Sequence, residues 1–220
     1  MEGKRIACDL VCMGVGSPKA WRGFKAWLEK KAGSPLASYR HRPKTLSGAS
    51  AANPPELAVL ADGRELQGTC EVRQWRRLYG GRWALRPSCH GCAYHSVRRA
   101  GDATIGDFWG IEATELAGFR DDLGVSLVLA STRRGEELVG GALALDARPA
   151  ELADALPQNP MLWRPSVYEG GRAELWRLYR ARGYESMVRK LHYYPSALRV
   201  LAGKAKRKLK AGVKRVLGKA

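Results

Sequence analysis

What the chain lacks narrows its reading first. No uninterrupted apolar run in its 220 residues approaches bilayer length, so no transmembrane helix is expected. The N-terminus, MEGKRIACDLVC, has only a short apolar stretch that contains Asp9, which does not suit a secretory signal. Cysteines number five, an odd count in a chain this long, which argues against a disulfide framework. A reducing compartment, the cytoplasm, is the expectation. Acidic residues are scarce, 21 Asp and Glu against 38 Lys and Arg, for a net charge of +17. Neither a Ser/His/Asp set nor a carboxylate pair stands out, and hydrolase chemistry gets little support.

Much of the positive charge is local. Arg199 to Ala220 hold nine Lys and Arg and no acidic residue, which leaves +8 on the preceding 198 residues. Leu201, Ala205, Leu209, Val213, Val216 and Leu217 recur at helical intervals with lysines between them. Such a basic amphipathic tail suits an anionic membrane surface or a solvated extension. Nucleic acid ranks well behind, because no nucleic-acid fold signature precedes the tail.

Read in order, Arg5 to Met13 has the pattern of a buried strand. The turn GVGSPK follows, with Ser17 placed to cap a helix that begins at Pro18 and runs to about Ala32. Trp21, Phe24, Trp27 and Leu28 would form its core-facing stripe. Strand, glycine loop and helix N-terminus together can attract a phosphate, although the Walker and dinucleotide fingerprints are missing. An ordinary strand–helix turn explains the same residues. Leu36 to His41 reads as a strand, followed by the small-residue loop TLSGASAANPPE. Leu57–Leu60 and Glu65–Gln67 form a hairpin through Asp62 and Gly63.

Cys70 to Tyr79 suits a short helix with Val72, Trp75 and either Leu78 or Tyr79 inward. Ala103–Ile105 and a buried Ser126–Ser131 read as strands, and helices are expected from Thr132 to about Leu145 and from Pro149 to Leu156. Beyond Pro157 a helix from Glu169 to Leu191 would carry Leu175, Trp176, Leu178 and Tyr179 on its apolar side. Strands interleaved with helices and then helices alone indicate an α/β fold, a mixed sheet with flanking helices, followed by a helical C-terminal extension. The corresponding division is an α/β domain over 1–156, the extension over 157–198 and the tail over 199–220.

The chemistry concentrates in LRPSCHGCAYHSVRRAGDATIGDFWGIE, Leu85 to Glu112, which holds a Cys-x-x-Cys pair (Cys89, Cys92), a basic pair (Arg98, Arg99) and a GDFWG turn. A Cys-x-x-Cys turn by itself suits iron–sulfur, zinc or redox-disulfide chemistry about equally. This segment resembles the C-terminal domain of the beta subunit of coenzyme F420 hydrogenase/dehydrogenase. Asp9 to Trp21, DLVCMGVGSPKAW, is similar to a second signature of that family, and Asp121 to Leu129, DDLGVSLVL, to a third, in the family order.

The resemblance implies an iron–sulfur, flavin-linked electron-transfer subunit. It implies that Cys12, Cys89 and Cys92 help hold a [4Fe–4S] cluster, with a fourth ligand unassigned. Cys8 and Cys70 read as buried structural thiols. It also implies an FAD, whose pyrophosphate Gly14, Gly16, Ser17 and Lys19 would contact and to which Arg98 or Arg99 would add charge-assisted hydrogen bonds. Asp107 and Trp109 match the family's GDFWG. Their plainer role is to fix a turn.

Family members carry a ferredoxin-like half ahead of the DLVC motif, which here lies eight residues from the start. A fragment, a shortened product or a half supplied by another polypeptide would each explain this. A redox partner subunit or a ferredoxin-like protein is the expected partner. The alternative is a truncated, non-catalytic subunit that keeps the fold with structural zinc, held by Cys12, Cys89, Cys92 and His90 or His95. Of the two histidines, His95 is the better placed.

Overall fold

The structure, a computed structural model, describes residues 5–46, 55–142, 145–168 and 170–190. Serine and proline start its first helix as the sequence suggests. The Ser17 side chain accepts from the Ala20 N–H, Pro18 opens α1 (Pro18–Ala32), and Gly33 closes it in the left-handed region at φ 69°. Ala20, Phe24, Trp27 and Leu28 face inward and are buried, while Trp21 is partly covered.

The strands among the described residues form two three-stranded sheets. Strands β2 (Leu36–His41), β3 (Glu56–Leu60) and β4 (Glu65–Gln67) make an antiparallel meander in the order β2-β3-β4. The second sheet has the order β1-β5-β6, with β1 (Cys8–Leu10) parallel to β5 (Ala103–Asp107) and β5 antiparallel to β6 (Ser126–Ala130). Cys8 pairs with Ala103, and Asp107 with Ser126. Because β1 and β5 run the same way, the residues that follow each strand emerge at one end of the sheet. Open sheets bind their ligands outside the carboxyl ends of parallel strands.

Helix α2 (Gln74–Gly80) begins four residues later than the sequence suggests and turns Val72, Trp75 and Leu78 inward. Its packing beside Phe24 and Trp21 anchors the cysteine segment that follows. Helix α3 (Arg133–Glu137), capped by Thr132, passes into a π-helical turn over Leu138–Ala142, and α4 is only Leu152–Ala155. Gly135 is required at the start of α3. A Cβ there would lie 2.0 Å from the Asp102 carbonyl oxygen.

Helix α5 (Arg172–Lys190) breaks at Gly183, at φ 77° and ψ 179°. Leu175, on the near side of the break, and Tyr184, Met187 and Val188 beyond it enter the core of α1. Trp176 and Tyr179 pack at its edge. A smaller core gathers Phe108, Ile111, Leu127, Ala155 and Leu162 beneath the second sheet.

Several expectations change. The first strand is three residues long and exposed, with Leu10 at 60 % exposure, because β1 is the sheet's edge. In β6 only Leu127 is fully buried. Cys8 and Cys70 are exposed thiols rather than buried ones. Among the described residues no helix is long and apolar enough to cross a membrane. The end of the helix expected near Leu145 crosses residues 143–144, outside the described residues. The ends of the helix expected over Glu169–Leu191, most of the small-residue loop and the basic tail over 199–220 also lie outside them.

Candidate functional site

Two chain segments are stitched together to build the site. Ser17 N–H donates to the Ala84 carbonyl at 2.6 Å, Arg86 N–H to the Val15 carbonyl at 2.9 Å, and Gly16 bridges Leu85. This pins the glycine loop after β1 against the approach to the Cys-x-x-Cys turn. The Val15 N–H then donates to Cys89 Sγ at 3.2 Å. Tyr79 reports the same closeness. Burial pushes its hydroxyl above the ordinary range, and the Cys12 and Cys89 thiols beside it push it further. Its O–H donates to the Gly14 carbonyl at 2.9 Å.

Cys12, Cys89 and Cys92 line one cavity of about 580 Å³. Cys8, Gly14, His95, Arg98 and Arg99 share its wall. Arg99 is held there by its guanidinium, which donates to the Tyr94 carbonyl at 2.6 Å and the Met161 carbonyl at 3.5 Å, while its buried Nε has no partner. A cavity with several thiols and two arginines on its wall suits an anionic, sulfur-ligated group by the chemistry of its donors.

Among the described residues, no three His, Cys, Asp or Glu groups are gathered as ligands of a metal ion. A single tetrahedral ion would draw its thiolates to roughly 3.8 Å from one another, as Zn–S bonds of about 2.3 Å require. A four-iron cluster takes one thiolate at each of four separate irons and spreads them more widely.

A second cavity, about 1010 Å³, lies at the carboxyl ends of β1 and β5 and shares Leu10, Cys12, Met13, Met161 and Arg164 with the first. Asp107 and Trp109 line it together with Arg42. The Arg42 guanidinium reaches Asp107 through Nη1–Oδ2 at 2.7 Å and Nη2–Oδ1 at 3.4 Å, and lies 5.9 Å from the Trp109 ring centre. Phe108 turns into the smaller core while Trp109 stays 45 % exposed beside the cavity.

The glycine-loop residues do not stay together. Gly14 reaches the sulfur-lined cavity, but Gly16 sits against Trp75, where a Cβ would be 2.7 Å away. Ser17 caps α1, and Lys19 Nζ lies 5.6 Å from the Tyr179 ring. The N–H groups of Val15, Ser17 and Ala20 are engaged within the chain. His90 is turned from the sulfur cavity, with Nδ1 on the Ser166 carbonyl at 3.0 Å and its ring against Tyr168.

Residues from the far end of the chain complete the walls. The buried Ser166 hydroxyl donates to the Met13 carbonyl and sits 3.5 Å from Met161 Sδ. Arg172, buried between the Tyr168 and Trp176 rings, donates to the Leu85 carbonyl at 2.7 Å. Neither stands in a motif. The one sequence sign for them is the pair of prolines, Pro160 and Pro165, which turn the chain back.

Comparison with protein families matches residues 1–151 to the C terminus of the coenzyme F420 hydrogenase/dehydrogenase beta subunit. This chain belongs to that family. The matched span covers both cysteine segments, the GDFWG turn and the six strands of the described residues. A beta-subunit family implies further subunits as partners and associates the chain with F420-related oxidoreductases. No curated protein and no solved structure matches the chain. Met161, Arg164 and Ser166, which close the cysteine cavity, come after the matched residues.

Proposed function

We propose that the chain is an electron-transfer oxidoreductase subunit that carries a [4Fe–4S] cluster in the cysteine cavity and an FAD in the larger cavity beside it. The observation that carries this reading is that Cys12 and Cys89, 77 positions apart in the chain, line one cavity with Cys92. Cys12, Cys89 and Cys92 would hold the cluster. The Val15 N–H on Cys89 Sγ and the charges of Arg98 and Arg99 bear on its potential, because sulfur hydrogen bonds and local charge set that quantity.

The larger cavity has the size of a cofactor site. Trp109 offers a ring edge to a flat heterocycle, and Arg42 and Arg164 offer positive charge to a pyrophosphate. Gly16, Ser17 and Lys19 are left with the packing and capping roles described above. A flavin takes electrons in pairs and passes them on singly, and this is the chemistry it would supply beside a cluster. Cys12 and Met13 belong to both walls, so the two centres would be neighbours. The partner would be a redox subunit or a ferredoxin-like protein, and the compartment the cytoplasm.

Anaerobic purification of the full chain tests the reading directly. Yellow-brown protein with iron, acid-labile sulfide and flavin is expected, with the iron and sulfide lost in Cys89→Ser. Colourless protein with one zinc per chain would replace it with the non-catalytic, zinc-stabilised subunit.

A further inference from the structure

The cluster reading leaves one iron of four without a ligand from the three motif cysteines. Two further donors stand on the same wall, Cys8 and His95. Cys8 lies four residues before Cys12, a separation of roughly 13 Å along an extended strand. Its thiol is turned to its own neighbour, the Asp9 carbonyl, at 3.7 Å. Reaching the group that Cys12 holds would require β1 to bend, although β1 is fixed by its pairing with β5 through Leu10 and Ile105.

His95 needs no such movement. It follows Cys92 by three residues in the same loop, and its Nδ1 lies against the Cys92 carbonyl. A proton on Nδ1 would face that carbonyl and leave the Nε2 lone pair to ligate. Ring orientation by a backbone carbonyl on one nitrogen, with the other free to ligate, is the usual arrangement of a metal-bound histidine. The ring is half-buried on the cavity wall, with Arg98 and Arg99 three and four residues on.

We infer that His95 Nε2 is the fourth ligand, so that the chain holds its cluster with three thiolates and one imidazole. The inference rests on the cluster reading and can fail separately from it. A neutral imidazole in place of a thiolate makes the cluster one unit less negative, and histidine ligation of iron–sulfur centres raises their potential.

The test uses the full chain, reconstituted anaerobically with ferrous iron and sulfide and reduced with dithionite. Pulsed electron paramagnetic resonance is recorded on protein made with natural and with ¹⁵N-labelled histidine. The expected result is a ligand-strength nitrogen coupling that changes with the label, persists in His90→Ala and vanishes in His95→Cys. His95→Cys should keep about four irons per chain, and His95→Ala should fall to about three. A second readout needs no paramagnet. On loading, His95 should become protected from diethylpyrocarbonate, while the exposed Cys70 thiol stays as reactive to iodoacetamide as before.

A four-iron cluster with no histidine coupling, undisturbed by His95→Ala and reduced instead by Cys8→Ala, would overturn the inference and leave the cluster reading standing. Coupling that vanishes in His90→Ala would also overturn it. Wild-type protein that binds neither iron nor sulfide would remove both.

Discussion

The backbone N–H of Val15 donates to Cys89 Sγ at 3.2 Å, across 74 positions of sequence. That bond requires the loop after β1 to approach the cysteine turn more closely than a side chain at position 14 allows. Gly14 has φ +148°, and a Cβ on it would lie 2.8 Å from Leu85 Cδ1 and 3.2 Å from Cys89 Cβ. Gly14→Ala should therefore destabilise the fold by about 1–3 kcal/mol through backbone strain and overpacking. It should also speed alkylation of Cys89 several-fold. An unchanged melting temperature with unchanged Cys89 reactivity would show that the approach is not required.

Arg42 and Asp107 are each about two-fifths exposed, and their bridge belongs to the class that contributes roughly 0–1 kcal/mol to stability. Its consequence should appear in binding. Asp107→Asn should leave chemical denaturation nearly unchanged while flavin retention drops roughly tenfold, about 1.4 kcal/mol. Equal flavin content in the variant would remove Asp107 from the larger cavity's function.

Asp102 ties three segments together. Its carboxylate accepts from the Ala7 N–H at 2.9 Å and the Thr132 hydroxyl at 2.7 Å, with Arg134 at 3.3 Å. The Ala7 hydrogen bond foremost, then Thr132 and Arg134, holds its carboxyl below the usual carboxylate range, against a smaller opposing effect of burial. A lowered folded-state value stabilises the fold above the unfolded value, about 3.9, and the contribution disappears as pH falls through the folded one. Wild-type melting temperature should drop faster than that of Asp102→Asn as pH falls below about 4. Parallel curves would contradict this linkage.

Gly183 breaks α5 at a backbone angle that only glycine adopts readily, and nothing lies within 4 Å of its missing side chain. The cost of Gly183→Ala is therefore conformational. About 1–3 kcal/mol of stability should be lost, as for a non-glycine residue forced into this region. Tryptophan emission should shift to the red as Tyr184, Met187 and Val188 loosen from Trp27 and its neighbours. A variant as stable as wild type, with unshifted emission, would show that α5 reaches the core without the break.

Local signals were the legible ones. Ser17, Pro18 and the Trp21–Leu28 spacing specify α1 within fifteen residues, and Asp62-Gly63 specifies the β3–β4 hairpin. Periodicity could not tell that β1 is an edge strand, because burial depends on which strand lies beside it. Leu10 and Val11 have the same apolar character, yet Leu10 is exposed and Val11 packs on the smaller core. The three cysteines that the family resemblance named line one cavity. The resemblance also gave Gly16, Ser17 and Lys19 to a ligand, and in the fold they meet Trp75, Ala84 and Tyr179, 59 to 160 positions away. Arg42, Tyr79, Ser166 and Arg172 carry no local signature, since their roles arise only from tertiary closure.

The cysteine cavity takes its walls from residues 7–15, 89–101 and 161–166. Two long loops must close before the third wall, Met161 to Ser166, meets Met13, and such non-local closure is the slow part of folding. The proposed inorganic centre would therefore be acquired late in the life of the chain. A nascent polypeptide that has made both cysteine segments still has no enclosed place to receive one.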